Sequence, residues 1–202
     1  MQTFPYGPAE IAHLKHRDRK LGRAIDRIGP IERQVIPDLF AALVHSVVAQ
    51  QISRKAADTV YGRLGARLGE ITPAAVTASD LSAIQGCGLS LRKAGYIKGI
   101  GEAALCGDLN LAELGRLPDE GVVRKLAALP GIGVWTAEMM LIFSLCRPDV
   151  VSWGDLAIRR GMMRLYGLKE LSRPRFDRFR KRYSPCGSVA SLYLWALSAE
   201  QK

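Results

Sequence analysis

The 202-residue chain predicts an all-α fold, and three observations carry that expectation. Apolar residues recur at helical spacing: in "IPDLFAALVHSVVAQQ", Leu39, Leu43, Val44, Val47 and Val48 share one face. Helix start and stop signals bracket such runs. Strand alternation and Asn-Gly hairpins are missing, and β-branched residues fall inside helical patterns.

The elements follow in order. Pro37 and Asp38 suit the first turn of the "IPDLFAALVHSVVAQQ" helix. "SRKAADTVYGRLGARLG" has Ser53 as N-cap and Gly69 as stop. "TPAAVTAS" opens with a Thr72 cap and Pro73 at the first helical position. "LSLRKAGYIKGIGEAAL" is capped by Ser90, with Ala94, Ile97 and Ala104 among its small or apolar positions. "LPDEGVVRKLAALPGIG" reads as a Pro-started helix that runs into a glycine turn. "VWTAEMMLIFSLC" is apolar enough to be central. "LAIRRGMMRLYG", "SRPRFDRFRKRY" and "SVASLYLWALSAE" complete the set, and a helix is expected near the N-terminus.

The composition is that of a soluble globular protein, 48% hydrophobic and 24% charged. No run reaches membrane-spanning length and the start lacks a signal-peptide pattern, so the expected compartment is cytoplasmic, nucleoid-associated in a bacterium. The net charge of +10 fits a polyanionic partner, nucleic acid first, and equally a basic surface that only confers solubility. Cys87, Cys106, Cys146 and Cys186 lie far apart with no C-x-x-C pair. That spacing argues against zinc or an iron–sulfur cluster and for reduced thiols. His13, His16 and His45 have no metal-ligand spacing and read as structural.

The stretch "LPGIGVWTAEMM" places Gly131 and Gly133 around Ile132, which can plug inward. Glycines allow positive φ and close backbone approach. The amides at the following helix start make an anion site. Such a hairpin can hold a DNA phosphate without reading sequence, or it can be an ordinary tight connection between helices. "GCGLSLRKAGYI" repeats the form: glycine, one residue, glycine, then a helix.

Asp155 lies 22 positions after Gly133, in "VVSWGDLAIRRGM". Its plain role is N-cap for the helix that follows, with Arg159 at the i,i+4 position. A helix start favours negative charge. That suits a carboxylate which stabilises a developing cation and activates water.

Taken in order, "LPGIGVWTA", an apolar helix and "GDLAIRRG" resemble the helix-hairpin-helix (HhH-GPD) DNA glycosylase superfamily, most closely its 3-methyladenine DNA glycosylase II branch. "VHSVVAQQISRKAADTVYGRL", "GLSLRKAGYIKGIGEAAL" and "RYSPCGSVASLYLWAL" are similar to further segments of that branch. The likeness runs from about residue 33 onward, and four motifs in order are far more specific than one.

The resemblance implies a compact two-lobed helical fold with an active cleft between the lobes. One lobe would span about residues 35–117; the other would join 1–34 to 118–202, with the helix-hairpin-helix at about 118–145. It implies a base excision repair enzyme that flips alkylated purines out of duplex DNA and hydrolyses the glycosidic bond, leaving an abasic site. Asp155 would stabilise the sugar cation and orient water. In relatives that also cut the backbone, a lysine able to form a Schiff base stands where this chain has Trp135, so no lyase activity is expected. Trp135, Trp195, Met139 and Leu156 would line the base pocket, each cation–π contact to a cationic base being worth about 0.5–2 kcal/mol. Gln51 aligns with the residue that fills the gap left by the flipped base. Gly131, Gly133 and Thr136 would give amides to phosphate, and backbone carbonyls of Ala127, Leu129 and Ile132 would hold a structural Na+ or K+. No other cofactor is expected; the partner would be damaged double-stranded DNA, met as a monomer.

Three departures mark this chain. Gly187 in "SPCGS" stands where the family commonly has arginine, and Met139 and Leu156 replace aromatics of some relatives. The last two keep open a glycosylase for another lesion, such as deaminated or etheno bases. A non-catalytic DNA-binding module is the rival from another class, though it would need neither Asp155 nor Trp195. The basic runs "HLKHRDRKLGR" and "SRPRFDRFRKR" read as solvated helix faces or as phosphate contacts.

Overall fold

A computed structural model describes residues 2–200. In chain order its helices are α1 (Pro8–Arg17), α2 (Arg19–Ile28), α3 (Leu39–Ala49), α4 (Arg54–Leu68), α5 (Pro73–Ala78), α6 (Leu81–Gln85) and α7 (Leu91–Cys106). They continue with α8 (Leu111–Leu114), α9 (Asp119–Ala127), α10 (Val134–Phe143), α11 (Leu156–Tyr166), α12 (Arg173–Tyr183) and α13 (Gly187–Ala199). The fold is all-α, as the periodicity predicts. The extended pairing among the described residues is one antiparallel bridge, Thr3 with Gln34.

The caps behave as their residue types require. The side chains of Asp38, Ser53, Thr72 and Ser90 accept from Ala41, Ala56, Ala75 and Lys93 amides. Two details differ from the sequence reading. The N-terminal helix is two helices, because Asp18 leaves helical geometry and caps α2 through the Lys20 and Leu21 amides. Pro118 occupies the N-cap position of α9 rather than its first turn. The short helices α6 and α8 have too few residues for a periodicity to register.

Contacts divide the chain into two compact units. One contains Ile36–Met140; the other contains the described residues up to Val35 and those from Leu141 onward. The sequence expectation drew its boundary at 117/118. The stretch 118–140 instead groups with 36–117, and the contacts that place it there are specific. Gln50 Nε2 donates to the Gly131 carbonyl at 2.7 Å, and the Tyr96 ring lies directly against Gly131.

In the Ile36–Met140 unit, α3 buries Phe40, Leu43, Val44, Val47 and Val48, and α7 buries Ala94, Ile97 and Ile100. Side chains of this size contribute about 1.5–3 kcal/mol each when fully removed from water. In the other unit α13 is buried on nearly every side from Gly187 to Leu194. A helix apolar all round belongs in a core. Its two buried serines are satisfied by the neighbouring loop: Ser191 donates to the Val150 carbonyl, and Ser188 donates to the Arg147 carbonyl while accepting from the Val150 amide. These bonds pin the segment that leads into Asp155.

Candidate active site

Asp155 is 6% exposed and caps α11, its Oδ1 accepting the Ile158 amide at 2.8 Å. Its own amide donates to Ser152 Oγ at 3.2 Å. One carboxylate oxygen is thereby anchored, at the end of a helix where the backbone dipole favours negative charge. The loop before it is held by Trp153, which packs edge-on against Phe176 at 5.1 Å and carries the Arg159 guanidinium over its face at 5.0 Å. Leu156, the next residue, is half exposed.

The helix that carries Asp155 is set against the helix that carries Trp195 by one glycine. A Cβ at Gly161 would stand 1.9 Å from the Leu194 carbonyl oxygen. Only a residue without a side chain lets α11 approach the α13 backbone that closely. Trp195 packs on Phe143 with ring centroids 5.4 Å apart, and Arg33 lies over the other partner of that pair at 5.0 Å from the Phe143 centroid. Asp155, Leu156 and Trp195 therefore belong to one unit.

The hairpin belongs to the other. Gly131 has φ +85°, Ile132 is buried as the plug its position predicts, and Gly133 is exposed with nothing within 4 Å of its Cβ direction. α10 starts at Val134, and its first-turn amides have no carbonyl four residues back within the helix. Thr136 and Met139 are buried, whereas Trp135 is 49% exposed. Gln51 takes the left-handed conformation, φ +59°, unfavourable for a residue with a side chain. Its turn is tied on both sides. Gln50 Nε2 reaches the Gly131 carbonyl, and Lys93 Nζ donates to the Val48 and Gln50 carbonyls at 2.8 and 2.6 Å. The Gln51 turn and the glycine hairpin are thus one braced assembly. Burial holds the Lys93 ammonium below the ordinary lysine range.

The carbonyls of Ala127, Leu129 and Ile132 lie at the end of α9 and in the turn, where helix carbonyls lack intrahelical donors. Leu129 O accepts the Ile132 amide at 3.1 Å and keeps a second lone pair. Neutral carbonyl oxygens are suitable donors for a hard monovalent cation. At Gly187, where arginine is common in the resembled family, a Cβ would meet the Asp149 carboxylate at 2.5 Å. That carboxylate takes the Gly187 amide at 3.1 Å and the Ser184 hydroxyl at 2.6 Å, and Arg180 lies 3.8 Å away.

Sequence reasoning missed Gly161, Lys93, Gln50, Tyr96, Phe143, Arg33 and Trp153. Each acts through a partner distant in sequence. The one visible signal is the glycine inside "LAIRRGMMRLYG", because glycine weakens a helix interior and is there compatible with a close approach.

Known proteins resemble this chain over most of its length. Residues 44–185 match the HhH-GPD superfamily of base excision DNA repair proteins. DNA-3-methyladenine glycosylase 1 of Schizosaccharomyces pombe is 32% identical over 198 residues, covering 94% of this chain and 86% of that protein. Among solved structures, a DNA-3-methyladenine glycosidase from Bacillus halodurans is 35% identical with a TM-score of 0.87, covering 98% of this chain and 93% of that one. A Schizosaccharomyces pombe 3-methyladenine DNA glycosylase in complex with abasic DNA is 31% identical with a TM-score of 0.79, covering 93% and 95%. With the glycine hairpin, the capping aspartate and the sequence match in agreement, this chain belongs to the HhH-GPD superfamily of base excision DNA repair proteins.

Proposed function

We propose that the chain is a monofunctional DNA glycosylase that hydrolyses alkylated purines of the 3-methyladenine type from duplex DNA. The observation that carries this reading is Asp155: a buried carboxylate anchored at one oxygen by the Ile158 amide. The names of the relatives support the same substrate class.

The chemistry needs little beyond that carboxylate. The target base leaves the stack, because its bond is inaccessible inside the duplex. Stacking and cation–π contact with the cationic ring fall to Trp195, in the unit that also carries Leu156, and to Trp135, in the unit that also carries Met139. The C1′–N bond breaks with its electron pair going to the base, which departs neutral and needs no acid. Positive charge develops on the sugar, and the Asp155 carboxylate stabilises it. The oxygen of water then bonds C1′ and its proton passes to Asp155. Gln51 fills the vacated space in the duplex, while Gly131, Gly133 and Thr136 hold a phosphate. The carbonyls of Ala127, Leu129 and Ile132 would hold Na+ or K+, whose charge adds attraction for that phosphate. Trp135 has no amine to form a Schiff base, so an abasic site remains and no strand is cut. The chain acts as a monomer, in the compartment that holds the DNA.

The test is single-turnover base release from duplex DNA containing N3-methyladenine, wild type beside Asp155→Asn. Asparagine caps a helix as well as aspartate does, so the fold is kept while the charge is lost. The expected fall in rate is about 10²–10³-fold, with binding to damaged DNA retained. Borohydride should trap no covalent adduct, and no strand break should appear. Full activity in the variant would remove Asp155 from the chemistry; no release by wild type would send the substrate assignment to a panel of deaminated and etheno bases, for which the aliphatic Met139 and Leu156 leave room.

A further inference from the structure

The two basic runs of the sequence lie far apart in the chain, yet the fold joins them. Arg182 of α12 donates to Asp18, 164 positions away, at 3.0 Å. Asp18 is 4% exposed and is the cap of α2. It also accepts the Tyr166 hydroxyl at 2.6 Å. Its charge is therefore spent inward, and it presents almost no acid to solvent.

The charges of α12 are sorted by side. Phe176, Phe179 and Tyr183 face the core. On one flank Arg173 pairs with Asp177 at 3.0 Å, and Arg180 donates to the Asp149 carbonyl at 3.0 Å. On the other flank Arg175, Arg178, Lys181 and Arg182 fall within about a third of the helix circumference. All four are exposed, and Arg182 is the one of them that meets a carboxylate. That flank adjoins the α1–α2 junction through the Arg182–Asp18 pair, and Arg17, Arg19 and Lys20 are exposed on either side of Asp18.

Beneath these cations lies an aromatic floor. Tyr166 stacks on Phe179 with centroids 3.7 Å apart. Arg182 and Arg178 sit 5.2 and 6.0 Å from the Phe179 centroid, and Lys20 sits 5.9 Å from that of Tyr166. Cations held over rings lose less freedom when they meet an anion than cations on free stems.

We propose that this surface is a second nucleic-acid contact, one that takes the phosphate backbone of duplex DNA without reading its sequence and adds to affinity for undamaged DNA. It uses none of the residues of the glycine hairpin or of the base site. It rests on the reading of the chain as an enzyme of DNA, because charge complementarity alone would fit any regular polyanion. Guanidinium forks match phosphate oxygens in pairs, and phosphate contacts of this kind position a protein without specifying bases.

The experiment compares wild type with the triple variant Arg175→Gln, Arg178→Gln, Lys181→Gln. Affinity for a long undamaged duplex is measured across a salt series, beside single-turnover base release at saturating enzyme. Each phosphate contact contributes about 0.9 to the log–log salt slope, so the slope should become shallower by about 2–3. The saturated release rate should not change. A second variant, Arg19→Gln with Lys20→Gln, probes the other half of the surface and decides the matter by the same slope if the triple variant melts early. An unchanged salt slope overturns the proposal. So does a saturated release rate that falls together with affinity, because the residues would then belong to the catalytic contact. If neither protein releases any base while the slope still responds, the enzymatic reading fails and the DNA surface stands.

Discussion

A glycine can be present for what touches it or for what must later touch it, and three glycines here separate those roles. At Gly161 the Leu194 carbonyl oxygen would stand 1.9 Å from a Cβ. Gly161→Ala must push α11 off α13, and overpacking of this kind costs about 1–3 kcal/mol. Because Asp155 caps α11, base release should fall together with the urea midpoint. At Gly131 the backbone has φ +85° and the Tyr96 ring would lie 2.3 Å from a Cβ. Gly131→Ala should also lower the midpoint, since left-handed strain alone costs about 1–3 kcal/mol. Gly133 has open space where a Cβ would go. Gly133→Ala should leave the midpoint in place and weaken binding to DNA, where the backbone must come close to a phosphate. Urea denaturation and a DNA titration on the three variants would check the set; a Gly133→Ala protein that binds DNA as wild type does would remove the hairpin from the contact.

The assembly of α3, α7 and the hairpin shows what an element contributes beyond its own residues. Lys93 lies on α7, yet it donates to the Val48 and Gln50 carbonyls at the end of α3. Those carbonyls have no amide four residues on within the helix, so the lysine acts as a C-cap supplied from outside. Lys93→Met keeps the stem and removes the donors. Leaving such acceptors unmade costs about 1–3 kcal/mol, and hydrogen exchange should quicken locally at residues 50–53 before the rest of the unit opens. Exchange that is unchanged there would show that the turn holds itself. None of this was legible in the sequence. Ser53, Thr72 and Ser90 announced their helices because a cap acts within one turn of itself. Lys93 in "LSLRKAGYI" looks like any surface lysine, since its partners lie more than 40 positions away. Gln51, Gly131 and Thr136 could be named from motif order, but not the bond from Gln50 to Gly131 that braces the turn against the hairpin.

At the scale of the whole chain, the N-terminal residues and the helices from α11 onward form one unit, and a polar cluster ties the α1–α2 junction to α11 and α12 within it. Asp18 receives the Tyr166 hydroxyl, the Leu21 amide and the Arg182 guanidinium, and Tyr166 in turn meets the Tyr183 hydroxyl at 2.8 Å. Sequence order gave no hint of this closure. Asp18 lies in a run that reads as a solvated helix face or a phosphate contact, and nothing in the sequence ties Tyr166 or Tyr183 to it. Burial pushes the Asp18 carboxyl upward, but the hydrogen bonds from Tyr166, Leu21 and Arg182, with the charge of Arg182, outweigh it and hold the group below the usual carboxylate range. The direction sets the pH dependence. A carboxyl whose folded value is depressed binds fewer protons folded than unfolded, so its stabilisation is complete above the unfolded value of about 3.9 and is lost as pH falls through the folded value. Burial and charge also push Tyr166 and Tyr183 upward, so both hydroxyls keep their protons and stay donors throughout that range. Asp18→Asn retains a cap for α2 but removes the titrating group. Urea midpoints measured from pH 6 downward should therefore fall more steeply below about pH 4 in wild type than in Asp18→Asn, while the variant starts from a lower midpoint near neutrality. Two parallel curves would mean that the cluster closes the unit by shape alone and that its charge contributes nothing to stability.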